Sequence, residues 1–586
     1  MDKLNMQTKD LANDKFEKFK ELFPNAITET IDEDGNEIRA IDKDILAQEI
    51  STKVVEGREE RYQFTWPDKR KAILTANSPI TKTLRPCREE SVNFDETENL
   101  YIEGDNLEVL KLLQENYLGK IKMIFIDPPY NTGNDFVYKD NYSKYIDEYI
   151  NNSGQYDDEG NRLEKNIESN GRFHTDWLNM MYPRLKLAKN LLTEDGMIFV
   201  SIDYNEMSTL KMMMDEIFGE DNFQREIIWR IGWLSGYKTI APNFIRNHDT
   251  ILFYSKNPNE MKFLKTYIKN EDFKPLIKKD KNLTSKFNEL NIDIKKQNEL
   301  LRFINHENRP EKYAIEDTWN SNEYDDLNSI AIVSFSGEKI SKILNINQDF
   351  KGQKSIAMLK RLLVSSTEED DIVLDFFSGT ASTAHATIQL NAEDGGNRKF
   401  IMIQLPEEID KDSEAYQAGY STICDIGKER IRRIGKKIKN EINNESVDNN
   451  LDIGFRVLKV DSSNMKNVFY SPAETEQSLL DILEDNIKED RSSEDLLFQV
   501  MLDLGVPLSC KIDKRVIDNK KIFIIDEGYL IACFDKEITD NTIKEIAKKE
   551  PYYAIFRDSS IVNDSVATNF DQIFENISPK TIRKVL

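Results

Sequence analysis

The strongest constraint on the fold of this chain is an apolar run that ends abruptly in a carboxylate and two prolines. Lys122–Ile126 is followed by Asp127, Pro128, Pro129 and Tyr130. A run of this length favours a strand buried on both faces, and the prolines must lie beyond its ladder because proline has no N–H to donate. Ligands of open α/β sheets bind beyond the carboxyl ends of parallel strands, so the pattern predicts a functional site at these four residues.

The tetrapeptide places two hydrogen-bond acceptors beside an aromatic ring. An exocyclic amine of adenine or cytosine is a poor nucleophile because its lone pair is delocalised into the ring. The Asp127 carboxylate can accept one amino hydrogen and the Pro128 carbonyl, held outward by the fixed φ of proline, can accept the other. Tyr130 offers a face on which an extruded base can stack, a contact of about 1–3 kcal/mol. The alternative is an ordinary strand-to-loop turn, since Asp and Pro are common turn residues.

A second strand, turn and helix pattern lies far downstream. The apolar stretch 371–377 predicts a strand, and the small residues Ser378, Gly379, Thr380 and Ala381 precede a predicted helix. Gly379 allows the backbone to approach a ligand closely, and the N–H groups at the start of the helix can bind a carboxylate or phosphate. Taken alone, a plain strand-to-helix connection explains this segment better.

In this order the two elements resemble the amino-methyltransferases of DNA, in which a D-P-P-Y motif and an F-x-G-x-G loop lie on one Rossmann-like sheet. The catalytic motif comes first here, as in the beta class of adenine-N6 and cytosine-N4 enzymes. More narrowly, the chain resembles the modification (Mod) subunits of Type III restriction-modification systems across nearly its whole length. The stretches that carry this resemblance are Glu60–Pro67, Tyr101–Leu110, Asp176–Leu185, Gly196–Asp203, Asn391–Arg398 and Ile577–Pro579.

The resemblance implies a role for each matching residue. The residues that would bind the target base and act in catalysis are Asp127, Pro128, Pro129 and Tyr130. The residues that would bind the cofactor, S-adenosylmethionine, are Asp105, Asp375, Phe376, Phe377, Gly379, Thr380 and Gln404. Asp105 has a second reading as the N-cap of the helix that follows it, and the two roles are compatible.

Two positions depart from the pattern of the family. Ala381 stands where the second glycine of the cofactor loop falls, which keeps a small side chain there. Gln404 stands where an acidic residue is expected to hold the ribose hydroxyls, and it can form hydrogen bonds but brings no charge. Glu407 is the nearby carboxylate that can compensate.

Composition bounds the class of protein. A chain of 586 residues with 39% hydrophobic content is long enough for several domains with substantial cores. We find no apolar stretch long enough for a signal peptide or a membrane span, so we expect a cytoplasmic protein without membrane contact. The four cysteines and four histidines lack the spacing of ligand sets, so we expect no structural metal.

The net charge of −25 argues superficially against a nucleic-acid partner, because Lys and Arg supply most non-specific affinity for phosphate. The local distribution of charge, however, decides whether a surface can bind nucleic acid. Residues 262–296 and 428–439 are rich in basic side chains. Isoleucines at 431, 434 and 438 predict that the second stretch is an amphipathic helix with a basic outer face. Contact with DNA or a partner and a merely solvated face are equally open for this helix.

We predict an α/β protein with a permuted Rossmann-like methyltransferase sheet, an inserted target-recognition domain and an α+β C-terminal domain. The expected segments are an N-terminal arm at 1–95, the catalytic half at 96–255, target recognition at 256–325, the cofactor half at 326–445, and a dimerisation or partner-binding domain at 446–586. In the recognition segment, Arg302, Asn305, Asn308 and Arg309 are donors that can read base edges, although a surface loop explains them equally well. In the C-terminal domain, residues 521–525 and 529–534 predict a hairpin.

The leading hypothesis is a site-specific, S-adenosylmethionine-dependent adenine-N6 DNA methyltransferase that flips its target base. The resemblance implies double-stranded DNA, a second Mod chain and a separate ATP-dependent restriction (Res) subunit as partners. Two alternatives stay open. The same acceptors would serve cytosine-N4 methylation, and the chain could chiefly be a DNA-recognition subunit for a partner nuclease with weak methylation.

Overall fold

The secondary structure is taken from a computed structural model, and the described residues are 2–3, 11–22, 27–31, 37–41, 64–132, 136–138, 163–165, 173–230, 244, 246–270, 275–308, 310–319, 339–346, 353–443, 451–466, 487–558 and 564–586. The strands are β1 (Asp2–Lys3), β2 (Ile27–Ile31), β3 (Glu37–Ile41), β4 (Lys82–Pro86), β5 (Leu100–Glu103), β6 (Ile121–Ile126), β7 (Phe136–Tyr138), β8 (Leu163–Lys165), β9 (Leu192–Ile202), β10 (Phe223–Arg230), β11 (His248–Ser255), β12 (Tyr267–Lys269), β13 (Lys312–Ala314), β14 (Thr318–Trp319), β15 (Ile372–Asp375), β16 (Lys399–Gln404), β17 (Arg456–Ser462), β18 (Ile512–Ile517), β19 (Lys520–Ile525), β20 (Leu530–Cys533), β21 (Tyr553–Phe556) and β22 (Ile582–Val585).

The α-helices are α1 (Leu11–Leu22), α2 (Lys69–Asn77), α3 (Asn106–Leu112), α4 (Gln114–Tyr117), α5 (Phe173–Leu191), α6 (Met207–Phe218), α7 (Lys281–Glu289), α8 (Ile294–Arg302), α9 (Ile340–Leu344), α10 (Ile356–Ser366), α11 (Ser382–Asp394), α12 (Glu414–Gln417), α13 (Ile423–Asn443), α14 (Ser493–Asp503), α15 (Asp540–Ala547) and α16 (Asp564–Ile577). Short 3-10 turns cover Arg88–Glu90, Glu220–Asn222 and Asp526–Gly528, and a π-helical turn covers Phe303–Glu307. No helix of the described residues is both long enough and apolar enough to span a bilayer.

A ten-stranded sheet forms the centre of the molecule, in the order β14-β10-β11-β9-β6-β15-β16-β5-β17-β4. The six neighbours from β9 to β17 run parallel, whereas β11 and β4 pair antiparallel at either side of them. Strands β15 and β16, from the second half of the chain, lie between β6 and β5 of the first half. The chain therefore leaves in opposite directions from β6 and β15, and ligands bind at such a switch point.

The predicted strand at Lys122–Ile126 is confirmed as part of β6, which is buried along its whole length. Its side chains alternate between two cores, as the period of a strand requires. Met123 and Phe125 pack with Leu359 and Leu362 of α10 on one face. Ile124 and Ile126 belong to the core on the other face, which also holds Trp177 of α5. Burial on both faces explains why this segment is a continuous apolar run.

A second sheet at the C-terminus has the order β1-β22-β21-β20-β19-β18. Strands β19 and β20 pair antiparallel across the turn Asp526–Gly528, so the predicted hairpin is confirmed. On one face of this sheet, Ile522 and Ile531 pack against Phe570 and Phe574 of α16. Phe523 and Ile525 face the large core of the central sheet.

The central sheet recruits strands from outside the segments expected to hold it. Strand β4 lies within residues 1–95, and β17 lies within 446–586. Leu497 and Met501 of α14 share the apolar core of the central sheet, and Asn116 donates to the carbonyl of Met501 over 2.9 Å. The boundaries at 95 and 446 stay predictions, but the apolar core itself runs across both of them.

In the recognition segment, the structure corrects the expectation for one of the candidate base-reading donors, Asn305. Asn305 is buried, donates to the carbonyl of Ile277 over 3.0 Å and accepts from the amide of Ile277 over 2.9 Å. Because both polar atoms of this buried amide bond to the backbone of Ile277, Asn305 holds a loop and is not placed to read base edges. Arg302 pairs with Glu307 at 2.9 Å, and Arg309 lies outside the described residues.

Arg456 of β17 connects the central sheet to the segment that precedes β18, and substitution of this residue tests the shared core. It is fully buried, donates to the carbonyls of Phe94, Leu508 and Cys510, and its guanidinium lies 4.9 Å from the Phe94 ring centroid. We expect Arg456→Met to lower the free energy of unfolding by about 2–4 kcal/mol, because buried carbonyls lose their donors. Unfolding in guanidinium chloride measures the change in the free energy of unfolding. Lys511→Met, at an exposed lysine nearby, is the control, and an equal small effect of both would contradict the proposed junction.

Candidate active site

The carboxyl ends of β6, β15 and β16 meet around one cavity of about 240 Å³. Asp127 follows β6, Asp375 ends β15 and Gln404 ends β16. The residues that line the cavity include Asp127, Lys354, Asp375, Phe377, Ser378, Gly379, Thr380, Thr383, Gln404 and Glu407. The first residue of the tetrapeptide and the downstream loop, predicted separately, therefore share one space.

Asp127 pairs with a lysine that sequence patterns did not single out. The Nζ atom of Lys354 lies 2.7 Å from Oδ2 of Asp127 and donates to the Tyr130 hydroxyl over 3.0 Å. Burial opposes the charge of this ammonium, but the attraction of Asp127 and Tyr130 outweighs it and raises the pKa of Lys354. Oδ1 of Asp127 is buried and has no hydrogen-bond partner among the described residues.

Side chains from three other parts of the chain hold the tetrapeptide and the residue that follows it. Trp177 of α5 donates its indole N–H to the Pro129 carbonyl over 2.8 Å. The Tyr130 hydroxyl is 2.9 Å from Oγ of Ser201 in β9. Asn131 has a left-handed φ of 58° and donates to the fully buried Glu206. The Pro129 carbonyl is thus engaged inside the protein, which leaves the predicted acceptor role to Pro128.

Tyr130 is held at its polar end. Burial is the main cause that raises the pKa of Tyr130, and the nearby Asp127 charge adds to it. The hydroxyl therefore stays protonated and can both donate and accept at neutral pH. A ring fixed through its hydroxyl keeps one orientation, which a stacking platform needs.

The downstream loop is tied to its own strand ends. Asp375 accepts from Oγ1 of Thr383 over 2.6 Å and from the Phe377 amide over 3.1 Å. Gln404 accepts from the Gly379 amide over 2.7 Å and donates to Glu407 over 3.2 Å. Gln404 thus holds the loop, and Glu407 is the carboxyl beside it. Burial raises the pKa of Glu407 to about 7.

Two residues of the loop have left-handed backbone conformations. Gly379 has φ 49°, and a Cβ built there would meet open space. Ala381 has φ 58° at the position where the family pattern has its second glycine. A left-handed alanine costs roughly 1 kcal/mol relative to glycine. The departure at Ala381 therefore preserves the shape of the loop with a small loss of stability.

Arg430 braces this loop from the basic helix α13. It is fully buried and donates to Oγ of Ser382 over 2.8 Å and to Oγ1 of Thr380 over 3.1 Å. Lys428 of the same helix is buried as well and donates to Glu103. The prediction of a basic outer face is therefore wrong for these two residues. The buried isoleucines of α13 confirm the amphipathic helix itself.

Two candidate cofactor residues lie outside the lining of the cavity. Asp105 caps α3, accepting from the Leu107 amide over 2.8 Å, and pairs with Arg184 at 3.3 Å. Asp105 therefore has the capping role, one of the two roles expected for it. The Phe376 side chain is buried, and its carbonyl accepts from Asn106 over 2.9 Å. Both residues are buried next to the strand ends and outside the cavity lining.

Comparison with known proteins points in the same direction as this geometry. Residues 121–434 match the family model N6_N4_Mtase, described as DNA methylase. The chain is 32% identical to the Type III restriction-modification enzyme EcoPI Mod subunit of Escherichia phage P1, over 70% of this chain and 73% of that protein. It is 34% identical to the StyLTI Mod subunit of Salmonella typhimurium, over 61% of this chain and 59% of that protein. A crystal structure of the M1.HpyAVI-SAM complex overlaps 57% of this chain and 98% of that one, with 16% identity and a TM-score of 0.30.

Asp375 predicts a pH-dependent stability. Burial raises the pKa of Asp375 to about 7, whereas an unfolded aspartate titrates near ~3.9. Its stabilising contribution is therefore complete below about pH 4 and is lost as the pH rises through about 7. Because Asp375→Asn cannot ionise, we expect wild-type stability to fall relative to this variant by on the order of 2–4 kcal/mol from pH 4 to 8.

Urea unfolding at each pH measures that difference in stability. Asp370→Asn, at an exposed carboxyl on the same approach to β15, is the control, and we expect its difference to change little with pH. A difference between wild type and Asp375→Asn that is flat from pH 4 to 8 would contradict the burial of an ionisable group at this position.

Proposed function

The chain belongs to the DNA methylase family and to the Type III Mod subunits, and from this premise we propose that it methylates adenine N6 at a specific site in double-stranded DNA. The cofactor is S-adenosylmethionine, and the chain is the modification subunit of a Type III restriction-modification system. The observation that carries the proposal is the shared cavity, in which Asp127 lies with the Gly379 loop.

Asp127 provides the acceptor that the reaction needs. Its Oδ1 atom is buried and lacks a partner among the described residues, so a buried N–H donor from the target amine would satisfy it. The Pro128 carbonyl is the second acceptor. Two acceptors on one NH₂ group draw its lone pair out of the ring and make the nitrogen nucleophilic.

The loop residues fit the cofactor by their chemistry. Gly379 leaves open space where a side chain would otherwise stand, which allows a ligand close to the backbone. Asp375, Gln404 and Glu407 supply acceptors for hydroxyl and amino groups, and Phe377 supplies an apolar wall. When bound, S-adenosylmethionine supplies a methyl group on a positively charged sulfur. These residues hold and orient it beside Asp127.

Tyr130 supports a flipped base in this proposal. Its hydroxyl contacts Ser201 and Lys354, so the ring is already fixed before DNA binds. A preformed ring can replace part of the stacking energy that the extruded base loses, about 1–3 kcal/mol. No covalent bond between enzyme and base is needed, since the amine attacks directly.

Cytosine-N4 methylation is the second candidate, because the same acceptor pair serves either amine. Similarity to Type III Mod subunits favours adenine. A recognition subunit with weak methylation is less well supported. Ala381 keeps the left-handed conformation of the missing glycine, and Gln404 forms the bond that holds Gly379. Neither departure removes an element that the reaction needs.

The partners follow from the same resemblance. We propose that the enzyme works as a homodimer in the cytoplasm, on double-stranded DNA, with a separate ATP-dependent restriction (Res) subunit. The C-terminal domain is the candidate contact for the second Mod chain or for Res. Specificity for the target sequence belongs to the recognition segment.

Methyl transfer to plasmid DNA from labelled S-adenosylmethionine tests the proposal. We expect wild type to yield N6-methyladenine by mass spectrometry of nucleosides, and Asp127→Ala to lower the rate by at least ~10²-fold because the amine loses an acceptor. Asp195→Ala, at the opposite end of β6 where Asp195 pairs with Lys122, is the control and should retain activity. N4-methylcytosine as product would reject the adenine assignment, and DNA binding without incorporation would favour a recognition subunit.

A pair of glycines tests the cofactor site. Gly379 and Gly395 both have left-handed φ, and both have open space at Cβ, but only Gly379 lines the cavity. We expect alanine at either position to lower stability by about 1 kcal/mol. Only Gly379→Ala should weaken S-adenosylmethionine binding, by roughly tenfold in Kd by calorimetric titration. Equal cofactor affinity in the two variants would place the cofactor elsewhere.

A further inference from the structure

We propose that Lys354 is a positioning residue for the methyl transfer: its ammonium holds Oδ2 of Asp127 and the hydroxyl of Tyr130, so that Oδ1 is left to receive the target amine. This inference rests on the proposed function and deepens it. It assigns a separate task to each carboxylate oxygen.

The contacts of Lys354 join the two active members of the tetrapeptide. Its Nζ atom lies 2.7 Å from Asp127 and 3.0 Å from the Tyr130 hydroxyl. The side chain is only 8% exposed, so water competes little for these bonds. One ammonium has three donors and no acceptor, and it can hold both oxygens at once.

The backbone that carries Lys354 is itself fixed. Ser355, the next residue, is the N-cap of α10 and accepts from the Met358 amide. Leu359 and Leu362 of α10 pack against Met123 and Phe125 on the face of β6. The lysine is thus anchored to the same strand whose end carries Asp127, which keeps the distance between the two groups constant.

The other carboxylate oxygen of Asp127, Oδ1, remains available to the target amine. Oδ1 of Asp127 has no hydrogen-bond partner among the described residues, although it is buried. An unsatisfied buried acceptor raises the free energy of the folded state. A target amine that donates to Oδ1 removes this cost without displacing Lys354 from Oδ2. The lysine and the substrate therefore bind the carboxylate together and do not compete.

The charge of Lys354 matters because other acids surround Asp127. Asp249 and Asp375 both act electrostatically on this site, and Asp127 and Lys354 are among the charges that act on each of them. Arg246 and His248 also act electrostatically on Asp249. Lys354 pairs with Asp127 and acts electrostatically on both Asp249 and Asp375. Without it, these acids would lie close together with no cation between them, and the Asp127 carboxylate would lose the donor that orients it.

The proposal predicts a defect that depends on pH. In Lys354→Met the active site loses a buried cation from among its acids, so the acid limb of the kcat profile should move up by at least about one pH unit. Near pH 7 we expect kcat to fall by roughly 10²-fold, with KM for DNA changed by less than about threefold. Part of the loss should be recovered at pH 9.

Three further variants separate charge from shape. Lys354→Arg keeps the charge and should restore most of kcat and the wild-type acid limb. Lys354→Gln keeps a donor and much of the length without charge, and should show the shifted acid limb even if the Met variant folds poorly. Lys360→Met removes another lysine of α10, which pairs with Glu393 at the surface, and should leave kcat and its pH profile unchanged.

The outcomes distinguish this inference from the function on which it rests. If wild type methylates adenine, Asp127→Ala is inactive and Lys354→Gln keeps the wild-type kcat and pH profile, the positioning role is refuted and the function stands. An equal loss at every pH from 6 to 9, without rescue by Arg, would also overturn it, since that pattern marks a purely structural residue. Absence of methyl transfer by wild type would instead refute the proposed function.

Discussion

The pairing of β6 with β15 is the constraint on which the rest of the site depends. The two strands lie about 250 residues apart in the chain, yet Val373 lies opposite Met123 and Leu374 opposite Ile124. This register brings Asp127 and Asp375 to the same edge of the sheet and to the same cavity. A slip of one residue would turn each side chain to the other face and separate the acceptor from the loop. The apolar cores on both faces of β6 hold this register, because a slip would bring Met123 and Ile124 into the wrong cores.

Much of this arrangement could be predicted from local sequence. The apolar run before Asp127 and the strand, turn and helix around Gly379 each contain their own signal, because strand burial and turn chemistry depend on neighbouring residues. The hairpin at Asp526–Gly528 was predictable for the same reason. That the two main elements meet followed from resemblance and from the general placement of sites at strand ends. Local patterns could not reveal that β17 and the edge strand β4 complete the sheet, since tertiary packing decides which distant strands join it.

The residues that sequence reasoning missed act over long separations. Lys354 reaches Asp127, Trp177 reaches the Pro129 carbonyl, and Arg430 reaches the loop at Thr380. Trp177 lies in a stretch that resembles the family, but the stretch gave it no role, and a lysine before a helix or an arginine within one is common everywhere. Arg430 was even expected on the solvent face, since charge alone suggests exposure. Buried cations that hydrogen-bond to loop oxygens are a tertiary property, and only the folded chain displays them.

The interleaving of β15 and β16 between β6 and β5 also has a consequence for synthesis on the ribosome. When β6 emerges, β15, one of its two future neighbours, is about 250 residues from being made. At ordinary rates of elongation, its edge stays unpaired for on the order of 10–50 s. An apolar edge open for that long can pair with a nascent neighbour on the same polysome. One edge of β6 therefore has no partner until β15 has been made, and the length of the stretch between the two halves sets how long that edge stays open.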